Sequence, residues 1–406
     1  MRKSPLFPIF LIVLVDILGL TLILPLLPFY AEKFGASPMV IGFLPATYSL
    51  CQLVAGPILG HLSDRYGRRP LLIISQIGTL IGFLVLGQAT TLWVVFLSRI
   101  IDGATAGNLS LAQAYISDVT SPENRSKSFA VIGIAFGIGF LLGPAISGFL
   151  SQYGYRYPIY AAAGLSALSI LATSTLLPNS MRKLHVEAGG ESEDAAALPG
   201  GKRLGVLQWN RYTRFFAIPE LRGYLLQFFC FCLAFSVFIG GFALFAERKF
   251  TSGGVPYGPK QVGYLFAYAG FLGILLQGGL IGRLVKRFGE RGLVKAGFFS
   301  NIVGYGILGF SNTLGQLLSS ATVNSFGNGA LRPVLTSLIT QKTDRKEQGV
   351  VLGLTQSLNS IAQIIGPITA GFLIHHDFLA VWAWLAGGIS LVGFGLARRT
   401  NYVVAG

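Results

Sequence analysis

Gly60-His61-Leu62-Ser63-Asp64-Arg65-Tyr66-Gly67-Arg68-Arg69-Pro70 stands between two long apolar runs. One aspartate and three arginines cannot lie in hydrocarbon cheaply, since each costs roughly 3 kcal/mol at the centre of a spanning helix. Gly67 suits a turn with positive φ, and Pro70 suits the first turn of a following helix. The stretch therefore reads as a tight loop at a membrane surface, joining two spans. A near copy, Gly282-Arg283-Leu284-Val285-Lys286-Arg287-Phe288-Gly289-Glu290-Arg291, begins 222 residues later. One loop pattern occurring twice points to an internally duplicated membrane protein.

The composition agrees. Of 406 residues, 52% are hydrophobic and only 12% charged, about half the usual charged share, too few to solvate a soluble protein of this size. The 53 glycines are roughly twice the usual proportion, and small residues let helices approach closely in lipid. Cys51, Cys230 and Cys232 lie in apolar segments without metal-ligand spacing and read as packing residues. Met1-Arg2-Lys3 before an apolar run resembles a secretion signal. No small-residue cleavage site follows it and the run continues past Pro25, so a retained first span is expected.

A span needs about 20 mostly apolar residues, and twelve stretches qualify: 6–29, 41–62, 70–89, 92–117, 126–150, 157–177, 222–246, 261–282, 293–310, 313–337, 348–374 and 379–397. A second repeat supports pairing them across two halves. Gly143-Pro144-Ala145-Ile146-Ser147-Gly148-Phe149-Leu150 in the fifth stretch matches Gly366-Pro367-Ile368-Thr369-Ala370-Gly371-Phe372-Leu373 in the eleventh. The expected fold is an all-α membrane protein of twelve transmembrane helices in two pseudo-symmetric six-helix halves, 1–177 and 222–406, joined by 178–221. The acidic, Ala- and Gly-rich composition around Glu187–Asp194 makes that junction a flexible tether. Arg203 to Arg214 is a candidate surface helix against anionic membrane lipid.

Of the 31 basic residues, 24 fall at the termini and in the even-to-odd loops, five on the other side, and Arg99 and Arg332 within helices. Basic residues gather on the cytoplasmic face, so both termini are expected to be cytoplasmic. The net charge of +15 is topological and calls for no nucleic acid.

No phosphate-binding Gly-rich loop ending in Lys-Ser or Lys-Thr occurs, nor a His-Glu-x-x-His pair, which removes support for ATP-driven pumping, membrane proteolysis and metal chemistry. His375 and His376 sit at a helix end and read as a surface pair. Ionisable residues within spans carry functional meaning by default. Asp16 is midway along the first span, where a desolvated carboxyl either takes up a proton as access switches or makes a structural hydrogen bond. Arg99 and Asp102 are three apart in the fourth span and share a helix face, either as a static pair or as a field acting on a proton site. Gly103 and Gly107 follow them as a packing surface, while Gly139, Gly143, Pro144 and Gly148 make the fifth span a candidate rocking interface, with Gly366 and Pro367 in the eleventh. Tyr48, Gln52, Asn108, Gln113, Asn324, Asn328, Gln356, Asn359 and Gln363 are candidates for lining a substrate cavity. The same amides could instead cross-link helices, at about 0.6 kcal/mol apiece.

Gly60–Pro70, Arg99–Gly107 and Gly139–Gly148 together resemble the major facilitator superfamily, and within it the proton-coupled drug antiporters. Asp16–Pro28, Ser63–Pro70, Arg99–Thr120 and Gln348–Gly366 are most similar to the tetracycline/proton efflux group. The resemblance implies a gating motif of Gly60, Asp64, Arg65, Gly67, Arg68, Arg69 and Asp118. In it Asp64 faces the start of span eleven, and Arg65 or Arg69 pairs with Asp118, closing the cytoplasmic side. It also implies a small-molecule substrate, protons as the energy source without a cofactor, a monomer, and the inner or plasma membrane. The chain departs from the tetracycline pattern in having no acidic residue within spans three, nine and eleven. Proton coupling therefore falls to Asp16, Arg99 and Asp102. Two other readings are a sugar or metabolite carrier of the same fold and a transport-dead sensor.

Overall fold

The computed structural model describes residues 6–119, 125–177, 214–343 and 347–399. Of the expected tether, 178–213 lies outside them. The described chain is helical apart from a two-residue hairpin, Thr251–Ser252 with Val255–Pro256. The first span is broken: α1 (Leu6–Ile23) ends at a turn containing Pro25, and α2 (Leu27–Glu32) restarts with Pro28 in its first turn. α3 (Pro38–Tyr66) and α4 (Arg68–Gly87) follow. The fourth span is also broken, into α5 (Leu92–Ala104) and α6 (Asn108–Val119). Its freed backbone is satisfied from α4, where Ser75 Oγ accepts from Gly107 N at 2.9 Å and donates to the Thr105 carbonyl. Such a break survives in a membrane only where neighbours supply those bonds. α7 (Arg125–Leu150) and α8 (Arg156–Leu176) complete the first half.

The second half comprises α9 (Pro219–Lys249), α10 (Pro259–Leu275), a π-helical turn over Leu276–Leu280, α11 (Ile281–Phe310), α12 (Leu314–Gln341), α13 (Gln348–His375) and α14 (Leu379–Arg399). The 52-residue run Pro259–Phe310 holds two spans, divided at Gly289, where φ is 71° and ψ 161°. Gly67 has φ 98° and ψ 153°. The duplicated motif thus makes the same left-handed-φ turn twice, a conformation open chiefly to glycine. Eight described helices are long and apolar enough to cross a membrane, one of them the double run Pro259–Phe310, and with the two broken spans and α12 they are consistent with the expected twelve. α12 is the least obvious of them, because Asn324, Asn328 and Arg332 interrupt its apolar run.

Two crossings join the halves, α3 with α13 and α7 with α10. They are built alike. A Cβ at Gly42 of α3 would strike the Pro367 carbonyl of α13, and one at Gly371 would strike the Pro38 carbonyl. At the pseudo-equivalent crossing a Cβ at Gly263 of α10 would strike the Pro144 carbonyl, and one at Gly148 would lie 3.0 Å from the Lys260 carbonyl. Pro38–Gly42 and Pro259–Gly263 therefore form a third repeat, Pro-x-x-x-Gly, that reading the sequence missed. Its signal was a proline in the first turn of spans two and eight with glycine four residues on.

Both crossings lie toward the end of the bundle opposite the charged loops. Cross-half bonds there include Lys260 Nζ to Gln152 Oε1 at 3.0 Å, Ser49 Oγ to Gln363 Oε1 at 3.2 Å, and Arg248 with Glu32 at 3.9 Å. Toward the loop end, Gly56 and Gly60 of α3, Gly133 of α7 and Gly353 of α13 meet nothing within 4 Å of an added Cβ. The halves are pressed together at one end and parted at the other.

Candidate functional site

Five spans of the first half converge on a buried polar cluster. α5 contributes Arg99 and Asp102, whose side chains are 5% and 5% exposed, with Nη1 to Oδ2 at 3.4 Å. Arg99 Nε also donates to Ser98 Oγ at 3.3 Å. The i,i+3 spacing read from the sequence is thus realised as an internal pair. Thr79 of α4 reaches the Asp102 carboxylate, and Tyr48 of α3 lies in the electrostatic range of Asp16, Arg99 and Asp102. The close approach of α5 to α3 is set by Gly103, where a Cβ would meet the Tyr48 carbonyl at 2.5 Å.

Asp16 of α1 is partly buried and pairs with no cation among the described residues. Its carboxylate faces Gln76 of α4 and Ser169 of α8, and it feels the charge of Asp102. Gln76 is fully buried and donates from Nε2 to Ser169 Oγ at 2.7 Å. Its Oε1, like Arg99 Nη2, is buried without a partner among the described residues. Reading the sequence missed Gln76, Thr79 and Ser169. Their signal was faint: an amide and two hydroxyls inside the apolar runs of spans three and six, with nothing to say they face span one.

The glycines expected to form a hinge divide by partner. Gly139 and Gly143 let α7 lie against Ile17 and Thr21 of α1, Gly107 abuts Leu59 of α3, and Gly366 abuts Ser236 of α9, all within one half. Thr21 Oγ1 donates across to the Gly139 carbonyl at 2.9 Å. Only Gly148, Pro144 and Pro367 touch the other half.

The expected cavity amides divide too. Gln363 joins Ser49 across the halves, Gln52 Nε2 donates to Tyr48 Oη at 3.4 Å, and Gln113 and Gln356 are exposed. Asn359 is buried, and the Asn108 carbonyl oxygen is buried without a partner among the described residues. Asn324 and Asn328 correct the cavity reading. Asn324 fills the space over Gly304 and donates to Ser320 Oγ at 3.3 Å, and Asn328 Oδ1 accepts from Asn301 at 3.1 Å. Both are turned toward the α11–α12 packing, where an amide without a partner would be costly in lipid.

At the loop motif the clamp is Arg68, which corrects the expectation of Arg65 or Arg69. Arg68 Nε lies 2.9 Å from Asp118 Oδ2 and Nη2 lies 2.6 Å from Asp64 Oδ1, with the guanidinium only 14% exposed. Ser63 Oγ also accepts from it. Arg69 instead donates to the Ser174 carbonyl at the end of α8, and Arg65 lies over the Tyr66 ring. The turn at Gly67 starts α4 at Arg68, which aims Arg68 inward at α6 and leaves Arg65 on the outer turn. Asp64 is 62% exposed and turned to Arg68, not to α13 as expected, because the halves are parted at this end. Exposed ion pairs stabilise by about 0–1 kcal/mol, so the clamp positions more than it stabilises. Arg68→Gln is expected to remove most transport at matched membrane abundance, while Arg65→Gln stays within a few-fold of wild type. The reverse order in initial transport rates would return the clamp to Arg65.

At the sealed end a cavity of about 490 Å³, lined by Phe29, Glu32, Lys33, Gly154, Tyr155 and Glu247, lies between the halves. Burial and the charges of Glu247 and Glu32 push the Tyr155 phenol above its ordinary pKa. None of the central cluster reaches this cavity.

A two-repeat helical bundle, sealed at one end and parted at the other around buried charge, has the architecture of a membrane transporter. The chain belongs to the major facilitator superfamily: the profile described as Major Facilitator Superfamily matches residues 9–305 and 257–402. It is 29% identical over 385 residues to the tetracycline resistance protein, class B, of Escherichia coli, covering 93% of this chain and 90% of that one. It is 26% identical over 407 residues to multidrug resistance protein 2 of Bacillus subtilis, covering 96% and 94%. Among solved structures, that of the human organic anion transporter MFSD10 matches with a TM-score of 0.74 and 24% identity, covering 98% of this chain and 100% of that one. The protein is an integral membrane transporter of small molecules and not an enzyme.

Proposed function

We propose that the chain exports a hydrophobic drug-like compound in exchange for protons by alternating access, as a monomer in the inner or plasma membrane. Its two halves, 1–177 and 222–406, rock about the α3–α13 and α7–α10 crossings, with 178–221 as their tether. The relatives named for tetracycline and multidrug resistance support the substrate class. The basic loops support a cytoplasmic loop-motif end and cytoplasmic termini, so the parted end opens inward, ready to take drug from the cell.

The observation that carries proton coupling is the contrast between two carboxyls. Asp102 has Arg99 at 3.4 Å and is compensated as an anion. Asp16 pairs with no cation among the described residues, and beside it Gln76 presents a buried acceptor oxygen without a donor. Taking up a proton removes the uncompensated charge of Asp16 from the membrane interior, where an unpaired ionised group is costly. Asp16 is therefore the proton carrier, Arg99 sets the field around it, and the substrate occupies the space between Tyr48, Gln52 and the second half.

The test is drug accumulation in cells with and without the protein, each with and without a protonophore. Lower accumulation that the protonophore abolishes is the expected result. Protonophore-insensitive uptake of a sugar or metabolite would replace this reading with a facilitative carrier, and no difference of any kind would leave a sensor or scaffold.

A further inference from the structure

The second half has no Asp or Glu within its spans 222–246, 261–282, 293–310, 313–337, 348–374 and 379–397, yet it carries Arg332 well inside α12. The side chain is exposed and turned inward. Its guanidinium carbon lies 5.9 Å from the Phe136 ring centroid on α7 of the other half. Its charge is felt at Cys232 of α9. No carboxylate pairs with it among the described residues. Glu290 of the neighbouring α11 is engaged by Ser337 at 2.7 Å and Gln341 at 3.1 Å. Phe136 stacks on Phe140 with ring centroids 6.4 Å apart, so the cation stands at the edge of an aromatic wall.

In the form described here the guanidinium is exposed where the halves are parted. Alternating access must then close that end, and closure would bury an unpaired cation at a cost that a cation–π contact only partly offsets. An anionic group carried in with the substrate removes that penalty. We infer that Arg332 and the Phe136–Phe140 wall form a substrate subsite for an aromatic compound bearing a carboxylate or a comparable acidic group, with Arg332 as the specificity-determining residue. The inference rests on the alternating-access reading above and narrows the drug-like class to organic anions. It also accounts for tight coupling, because the empty carrier is disfavoured from closing.

Equilibrium binding of three probes of matched ring to the purified full chain tests it: 1-naphthoate, its neutral amide 1-naphthamide, and cationic 1-naphthylmethylamine. Binding is read by tryptophan fluorescence, which needs no proton gradient, so failure of proton coupling in the cell assay and failure here are separate results. For wild type, naphthoate is expected to bind about tenfold tighter than the amide, equivalent to about 1.4 kcal/mol. The preference should persist in Arg332→Lys and collapse to near equality in Arg332→Gln, with folding of both variants checked by a monodisperse gel-filtration profile and a wild-type helical circular dichroism spectrum. Equal binding of naphthoate and amide to wild type, preference for the amine, or no naphthoate binding at millimolar concentration would overturn the inference. So would an Arg332→Gln protein that keeps the preference but shifts the pH profile of transport, since the guanidinium would then serve Asp16.

Discussion

Asp16→Asn is expected to abolish drug accumulation driven by a pH gradient in proteoliposomes while leaving drug binding and downhill exchange intact. The electrical part of the proton-motive force supplies about 2.3 kcal/mol per charge per 100 mV, enough for tens-fold accumulation. Without a group that binds its proton on one side and releases it on the other, that energy cannot reach the drug. Asparagine is the informative replacement because it resembles the protonated carboxyl. It keeps the shape of the carboxyl and adds no charge, so the cluster remains packed and the carrier is held as though permanently loaded with a proton. The loss should therefore fall on coupling and not on folding. If Asp16→Asn still concentrates drug under a proton gradient, Asp102 becomes the carrier, and Arg99 at 3.4 Å becomes the group that must release it.

Gly371→Val is expected to shift the protein from the form described here toward the one open at the other end. The added Cβ would strike the Pro38 carbonyl and come within 3.3 Å of Gly42 Cα. Both are backbone atoms that no rotamer change can move. Overpacking of this kind costs about 1–3 kcal/mol, and only the form in which α3 and α13 are pressed together pays it. The equilibrium between the two forms should therefore move by about 5- to 150-fold. Spin labels at Lys33 and Phe378, exposed positions on opposite halves of the sealed end, should report a longer distance in the variant on a cysteine-free background, and transport should fall with it. Gly148→Val at the pseudo-equivalent crossing should act in the same direction. An unchanged distance distribution in a well-folded Gly371→Val protein would remove the crossing from the conformational cycle.

The two-half architecture was legible because its signals are local and strong. Charge cannot enter hydrocarbon, so the Asp64–Arg69 loop and its copy mark span boundaries wherever they occur. Glycine is needed for a left-handed turn whatever surrounds it, so Gly67 and Gly289 could be paired by spacing alone. The Gly143-Pro144 and Gly366-Pro367 segments were legible as special helices for the same reason, although not their partners.

Questions of facing were closed to the sequence. Arg65, Arg68 and Arg69 are chemically alike and nearly adjacent, and only the direction in which the Gly67 turn launches α4 gives Asp118 to Arg68. Asn324 and Asn328 look like cavity amides until the rotation of α12 turns them toward Gly304 and Asn301 of α11. Asp16 was visible as a carboxyl in a span, but its character comes from Gln76 and Ser169, which lie about 60 and 150 residues away in sequence and meet it only when α1, α4 and α8 pack. By itself the sequence determined which stretches form long apolar helices and that their connecting motif occurs twice, because hydrophobic and turn energetics act on neighbours along the chain. Only the tertiary structure decided which polar groups meet and which end of the bundle is sealed, because those depend on the rotation and tilt of helices about their axes, which neighbours along the chain leave free.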